Sequence, residues 1–197
     1  MSPITEKPLR ADARRNREKV LAAARAVFAE QGREAQIDDV AHKADVGVGT
    51  VYRHFPTKEA LLQALGDEMF DIVAAHARAM LELDDPWEAF LSVMWFAAEK
   101  TAGDRAFSEI MAATPLTPHM SPGKEDLRIT VGELMRRCSE AGRMRADAII
   151  DDIPLLMCGV GSASHMEHPC SDAWRRHLAI VLDGLRAEAA SGPLHCG

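Results

Sequence analysis

Gln36-Ile37-Asp38-Asp39-Val40-Ala41-His42-Lys43-Ala44-Asp45-Val46-Gly47-Val48-Gly49-Thr50-Val51-Tyr52-Arg53-His54-Phe55-Pro56-Thr57-Lys58 is the stretch that decides the fold of this chain. Ile37, Val40, Ala41 and Ala44 recur at helical spacing and mark one short amphipathic helix. Asp45-Val46-Gly47 breaks that pattern. Gly47 has no Cβ and is the residue expected to supply any positive φ the bend needs. A second short helix is predicted over about Val48 to His54, with Val51 inward and Val46 and Phe55 closing the core at its ends. Phe55 precedes Pro56, and a residue before proline is pushed out of the α region, so this helix stops there. Two short helices, a tight turn with glycine, and small Ala41 at the crossing make a helix-turn-helix. A large side chain at Ala41 would hold the two helices apart.

The face opposite Val51 carries the chemistry. Gly49, Thr50, Tyr52, Arg53 and His54 point away from it. Thr50 and Tyr52 can donate hydrogen bonds to phosphates, and Arg53 can reach a guanine edge or a phosphate. The Val48 side chain and the Thr50 methyl can touch a thymine methyl. Thr57 is a candidate N-cap for the next helix, which places Lys58 beside free N–H groups as a phosphate clamp. The bland alternative is a helical hairpin with a solvated polar face. Turn, crossing residue and donor face coincide here, which favours DNA.

The run Val46-Gly47-Val48-Gly49-Thr50-Val51-Tyr52-Arg53-His54-Phe55-Pro56-Thr57-Lys58-Glu59-Ala60-Leu61 closely resembles the DNA-binding motif of the TetR family of one-component regulators. The likeness extends back over Val20-Leu21-Ala22-Ala23-Ala24-Arg25-Ala26-Val27-Phe28-Ala29-Glu30-Gln31-Gly32 and covers about the first third of the chain. Beyond it, only length and an all-helical pattern match. Two departures stand out. Val48 sits where many relatives carry a polar or basic residue, so contacts there turn apolar. Gln36-Ile37 replaces the usual threonine that opens the first helix of the motif. With Gln36, the expected DNA-contact set is Gln36, Val48, Gly49, Thr50, Tyr52, Arg53, His54 and Lys58. The resemblance implies a homodimer on an inverted-repeat operator in double-stranded DNA and a small-molecule effector; no cofactor and no membrane partner are expected.

A formal net charge of −7 looks wrong for a DNA binder until it is divided along the chain. Residues 1–60 carry a net +2 and the remainder −9. The basic part is the part with the motif, and an acidic body discourages docking the wrong way round. At 197 residues the chain allows one large or two small domains. Hydrophobic content of 47%, with few aromatics and short β-branched runs, favours a helical core. Cys138, Cys158, Cys170 and Cys196 are scattered, and no signal peptide is evident, which fits a reduced, cytoplasmic chain. No apolar run approaches the roughly 20 residues of a membrane span.

The expected domains are a disordered tail over 1–9, a DNA-binding domain over 10–56, an effector-binding and dimerisation domain over 57–190, and a tail over 191–197. Arg10, Arg14, Arg15, Arg17 and Lys19 cluster at the front of the first helix, capped by Asp12, and could serve as a phosphate or minor-groove arm. Solvated surface arginines are the equal alternative. Val20, Ala24, Val27, Phe28 and Gln31 stripe this helix, and Gly32 ends it. A long helix is predicted from Thr57 to about Leu83, the mechanical link between motif and body. Asp85-Pro86-Trp87-Glu88 reads as N-cap, first helical residue and capping box of a helix apolar on nearly all sides, so central and buried. A short helix is expected around Phe107, Ile110 and Met111, and a proline-rich loop over Thr114 to Gly123. The next helix is striped by Leu127, Val131, Leu134 and Cys138. The last two are expected at about Asp152–Ser164 and Ser171–Glu188. The total is about nine helices in an all-α chain.

Inward faces near the long helix carry Leu91, Met94, Trp95, Phe107, Met111, Met135 and Met157, the expected effector pocket, and Met-rich walls adapt to varied apolar shapes. Glu99 could add one charge for a cationic group. A filled core without a cavity is the alternative. Gly159 and Ala163, with the stripe Trp174, Leu178, Val181 and Leu185, are the candidate dimer interface. The same stripe could instead pack within one monomer. His165, His168 and the cysteines could build a metal- or redox-responsive regulator, although no fourth ligand is evident and a polar connector explains them as well. No catalytic signature or Gly-rich phosphate loop is found, which argues against an enzyme with an appended DNA module.

Overall fold

Eight α-helices form in the described residues of this computed structural model, which are 6–103, 120–166 and 172–194. They are α1 (Glu6–Gln31), α2 (Ile37–Ala44), α3 (Val48–His54), α4 (Lys58–Met80), α5 (Pro86–Gly103), α6 (Pro122–Glu140), α7 (Asp152–Ser164) and α8 (Ala173–Gly184). The fold is all-α. The short helix expected around Phe107 and Met111 lies outside the described residues, as does Ser171. Two compact units divide the chain, Met1–Gly66 and Asp67–Gly197, and α4 contributes residues to both.

In the first unit α1 packs on α2 and α3. Val20, Leu21, Ala24, Val27 and Phe28 of α1 meet Ile37, Val40, Ala41, Val51 and Phe55 in one buried set. The helix α1 begins at Glu6, so residues 6–9 of the expected tail are helical and Asp12 is an interior residue rather than a cap. Asp12 pairs with Arg15 and Arg14 with Glu18, each at 3.7 Å and one turn apart, which favours helix over an open tail. Pro8 falls in the first turn, where its missing N–H costs nothing. Gly32 ends α1 with a φ of 59°.

The turn of the motif is built differently from expectation. Gly47 is extended, with a φ of −67°, and is the N-cap of α3. The positive φ belongs to Asp45, at 52°. Asp45 N–H donates to the His42 carbonyl at 3.2 Å, and Val46 N–H donates to the Ala41 carbonyl at 3.1 Å. This pair of bonds is a Schellman ending, which needs one left-handed residue, and aspartate tolerates that conformation better than most. Asp45→Val is therefore expected to destabilise the chain by about 1–2 kcal/mol, and Asp45→Gly to be neutral or stabilising. Thermal unfolding of the two variants checks this, and equal melting temperatures would sink it.

In the second unit α5 is the hub, packing on α6, α7 and α8. Its sequence is apolar all round, and Trp87, Ala89, Phe90, Val93, Met94 and Ala98 are all buried. Asp85 Oδ1 caps it, accepting from Trp87 N–H at 2.8 Å and Glu88 N–H at 3.1 Å. The Glu88 amide, with the Trp87 amide, holds the Asp85 carboxyl below its ordinary pKa. The helix α6 starts at Pro122, inside the expected loop. Ser121 is its N-cap, accepting from Lys124 N–H at 3.3 Å, and Pro122 takes the first helical position, where proline is at home. Pro154 sits in the first turn of α7, as that position requires. At the C-terminal end, Arg145 holds Asp147 at 2.6 Å and the carbonyl of Gly192 at 2.7 Å, while Leu194 N–H donates to Asp147 at 2.7 Å. The guanidinium of Arg145, then the Leu194 amide, keep the Asp147 carboxyl well below the usual carboxylate range.

Candidate nucleic-acid interface and effector cavity

The helix α3 is seven residues long and buries only Val51. Val51 and Phe55 insert into the first unit's core, so the remaining side chains are presented outward. Val48 is 37% exposed and Tyr52 47%, and Gly49 and Arg53 are also exposed. Thr50 and His54 are half-buried. A Cβ built on Gly47 or Gly49 would meet nothing within 4 Å, so this end of α3 leaves its backbone open to close approach. Gln36, exposed at the start of α2, donates its side-chain amide to the Glu34 carbonyl at 2.7 Å. Its backbone N–H reaches the Asp39 carboxylate at 3.3 Å, the half of a capping box in which the acid at the third helical position satisfies the N-cap amide.

Cations flank this face. Thr57 Oγ1 accepts from Ala60 N–H at 3.1 Å and caps α4, which puts Lys58 at its first helical position. The Lys58 ammonium lies 5.5 Å from the Phe28 ring centroid, and the Arg17 guanidinium lies 5.4 Å from that of Phe55. These contacts hold both cations against the edge of the core they belong to. A salt bridge of 2.7 Å between Lys43 and Glu30 ties α2 to α1, but both side chains are largely exposed and it adds little stability.

The second unit holds a cavity of about 280 Å³. Met69, Phe70 and Val73 of α4, Val93, Met94, Ala97 and Thr101 of α5, Leu127 and Val131 of α6, and Ile153, Met157 and Gly161 of α7 line it. Met94 and Met157 of the expected pocket set are on this wall. Leu91, Trp95 and Met135 are not, and Phe107 and Met111 lie outside the described residues. Trp95 packs on Trp174 of α8, ring centroids 6.3 Å apart, because an all-apolar helix has a second face to bury. Met135 sits buried in the core around Leu134 and Cys138. Glu99 does not line the cavity either; it pairs with Arg175 at 3.1 Å. Met69, Phe70, Val73 and Leu127 are absent from the expected set; of them Leu127 was legible as part of a core stripe, and Phe70 and Val73 were missed in the sequence altogether.

The expected interface residues divide. Leu178 and Leu185 are buried in the core of their own monomer, so they offer no surface to a partner. Trp174 packs against that core, and Gly159, Ala163 and Val181 are half-buried. Packing inside the monomer accounts for Gly159. A Cβ there would come within 2.5 Å of His177 Nε2, so glycine lets α7 and α8 close on each other. The large apolar side chains that α7 and α8 expose are Leu155 and Ile180, each 61% accessible.

His165 ends α7 and touches the cavity, while His168 and Cys170 lie outside the described residues. Among the described residues no three His, Cys, Asp or Glu side chains cluster as a metal site. Cys138 is buried, donates to the Pro86 carbonyl at 3.0 Å, and has its thiol pKa pushed up to about 11, chiefly by burial. It is a core residue rather than a reactive one. No helix among the described residues is long and apolar enough to cross a membrane.

A three-helix head that buries one face of its seven-residue helix and offers the other, with tyrosine, arginine and threonine on it, defines a helix-turn-helix DNA-binding regulator. The chain belongs to the tetR family of bacterial regulatory proteins, whose profile matches residues 20–65; residues 85–187 match the C-terminal domain of SbtR-like transcriptional regulators. Among its relatives is an HTH-type transcriptional repressor from Mycobacterium tuberculosis, 29% identical over 186 residues, 89% of this chain and 83% of the relative. The HTH-type transcriptional repressor KstR of Mycolicibacterium smegmatis is 43% identical over 88 residues, only 43% of either chain. The crystal structure of a TetR transcription regulatory protein from Mycobacterium vanbaalenii is similar, with 33% identity, a TM-score of 0.59, and coverage of 91% of this chain and 99% of that one.

Proposed function

We propose that this protein is a homodimeric repressor that holds an inverted-repeat operator with two copies of α3 and lets go when a small lipophilic effector enters the cavity. One observation carries the reading: α4 helps to build both places, with Lys58 beside the DNA-facing helix and Met69, Phe70 and Val73 in the cavity wall. Relatives described as repressors support the sign of regulation. A twofold dimer reads two half-sites whose centres are about 34–36 Å apart, or a multiple of that. Gln36, Val48, Gly49, Thr50, Tyr52, Arg53, His54 and Lys58 make the DNA contacts in this reading. The setting that suits it is the cytoplasm, where no catalytic step is required of it.

The effector must bind the DNA-free form better than the bound form, since equal affinity shifts nothing. Met157 is half-buried on the cavity wall, so a larger ring there fills space without breaking the core. Met157→Trp is expected to keep operator binding and to raise the inducer concentration for half release about tenfold or more, the equivalent of about 1.4 kcal/mol. Operator gel shifts over an inducer titration measure it, and a wild-type response from the variant would overturn the cavity as the effector site.

Assembly follows the exposed side chains. The helices α7 and α8 pair with their copies as a four-helix bundle, with Leu155 and Ile180 at its seam and Gly159, Ala163 and Val181 beside them. Ile180→Glu puts two charges into that seam and is expected to give folded monomers by light scattering. A persistent dimer would place the interface elsewhere.

A further inference from the structure

The charges around the cavity are unequal. Its α4 and α5 walls contribute Met69, Phe70, Val73 and Met94 and no charged side chain among the described residues. Its α6 wall contributes Lys124 and Arg128, four residues apart and so on one face of the helix. Among the described residues the only carboxylate on the lining is Asp151, which is exposed, and His165 adds an imidazole. The Lys124 ammonium lies 5.9 Å from the Phe70 ring centroid and has no ion pair among the described residues. Arg128 meets Glu125 only at 3.4 Å, with both side chains nearly half exposed. A neutral apolar ligand would leave the Lys124 ammonium facing it with only the Phe70 ring as its partner among the described residues.

Resting on the reading of the cavity as the effector site, we propose that its ligand is an anionic amphiphile: a carboxylate that pairs with Lys124 and Arg128, on an apolar body that fills the methionine- and phenylalanine-walled interior. Size sets the class further. A cavity of about 280 Å³ holds on the order of ten groups the size of a water or methylene, at about 30 Å³ each. A medium-chain acyl or aryl carboxylate meets that limit. The guanidinium presents a planar fork suited to a carboxylate, and the ammonium adds a point charge. A cationic amphiphile would meet two like charges against the single exposed carboxylate of Asp151, and Glu99, off the lining, is paired with Arg175.

The test uses the full-length protein and three probes with one chain length: decanoate, decan-1-ol and decylammonium, titrated calorimetrically. Decanoate is expected to bind about tenfold tighter than the alcohol, with the ammonium weakest, as a charge-assisted pair at a half-exposed site allows. In Lys124→Gln/Arg128→Gln the preference for decanoate over the alcohol is expected to collapse to about twofold or less. Equal binding of acid and alcohol, tighter binding of the ammonium, or an unchanged preference in the double variant would each overturn the anionic assignment. In those three outcomes the cavity still takes a ligand. If none of the probes binds, and Met157→Trp also leaves inducer release unchanged, both this inference and the effector reading are lost.

Discussion

Arg53→Ala is expected to remove most of the operator-specific affinity, and Tyr52→Ala to do nearly the same. Both side chains stand on the exposed face of α3, opposite buried Val51. Neither supports the fold, so their loss is read in binding rather than stability. A good base contact contributes about 1–3 kcal/mol of discrimination, and a twofold dimer makes each contact twice, so the loss doubles to about 2–6 kcal/mol. Affinity should fall to near the non-specific level set by phosphates. Lys58→Ala behaves differently. Its ammonium, placed at the first position of α4, offers a point charge to a phosphate, so the variant weakens binding to all sequences. The salt slope should fall by about 1 per protomer. Fluorescence anisotropy on operator and scrambled DNA, at several salt concentrations, separates the two effects. Unchanged operator affinity in all three variants would falsify the assignment of α3 as the reading helix.

Trp87→Ala is expected to be the most destabilising single change in the second unit. The indole is fully buried at the start of α5 and lies 5.7 Å from the Phe90 ring centroid. The Arg186 guanidinium lies 4.8 Å from the Trp87 ring centroid, tying the segment after α8 to the hub. Truncation leaves a large cavity and costs about 3–5 kcal/mol, a large share of the roughly 5–15 kcal/mol that holds a typical domain together. Trp87→Phe should cost less than half as much. The indole Nε1 is buried without a hydrogen-bond partner among the described residues, so phenylalanine keeps most of the ring and discards an unsatisfied donor. Urea unfolding followed by circular dichroism gives both values. A Phe variant as unstable as the Ala variant would mean that the N–H is satisfied, for instance by a buried water.

The sequence by itself determined the class of fold and the helix-turn-helix, because their information is local. The spacing of Ile37, Val40, Ala41 and Ala44, the break at Asp45-Val46-Gly47, and Phe55 before Pro56 are each decided within a turn or two of chain. The buried hub was legible for the same reason: α5 has apolar residues on every side and an Asp-Pro start. The tertiary structure decided what depends on which faces meet. An all-apolar helix does not say which side lines a cavity, and only the packing of α4, α6 and α7 around α5 put Met94 on the cavity and Trp95 against Trp174. Leu178 and Leu185 form a stripe that fits a dimer seam or a monomer core equally well; the fold buried them and exposed Ile180. The bend chose Asp45 over Gly47, because the Schellman bonds fix the left-handed residue by its distance from the last helical carbonyls, not by which residue tolerates it best. Periodicity states that a face is buried, and the partner that buries it is a property of the whole fold.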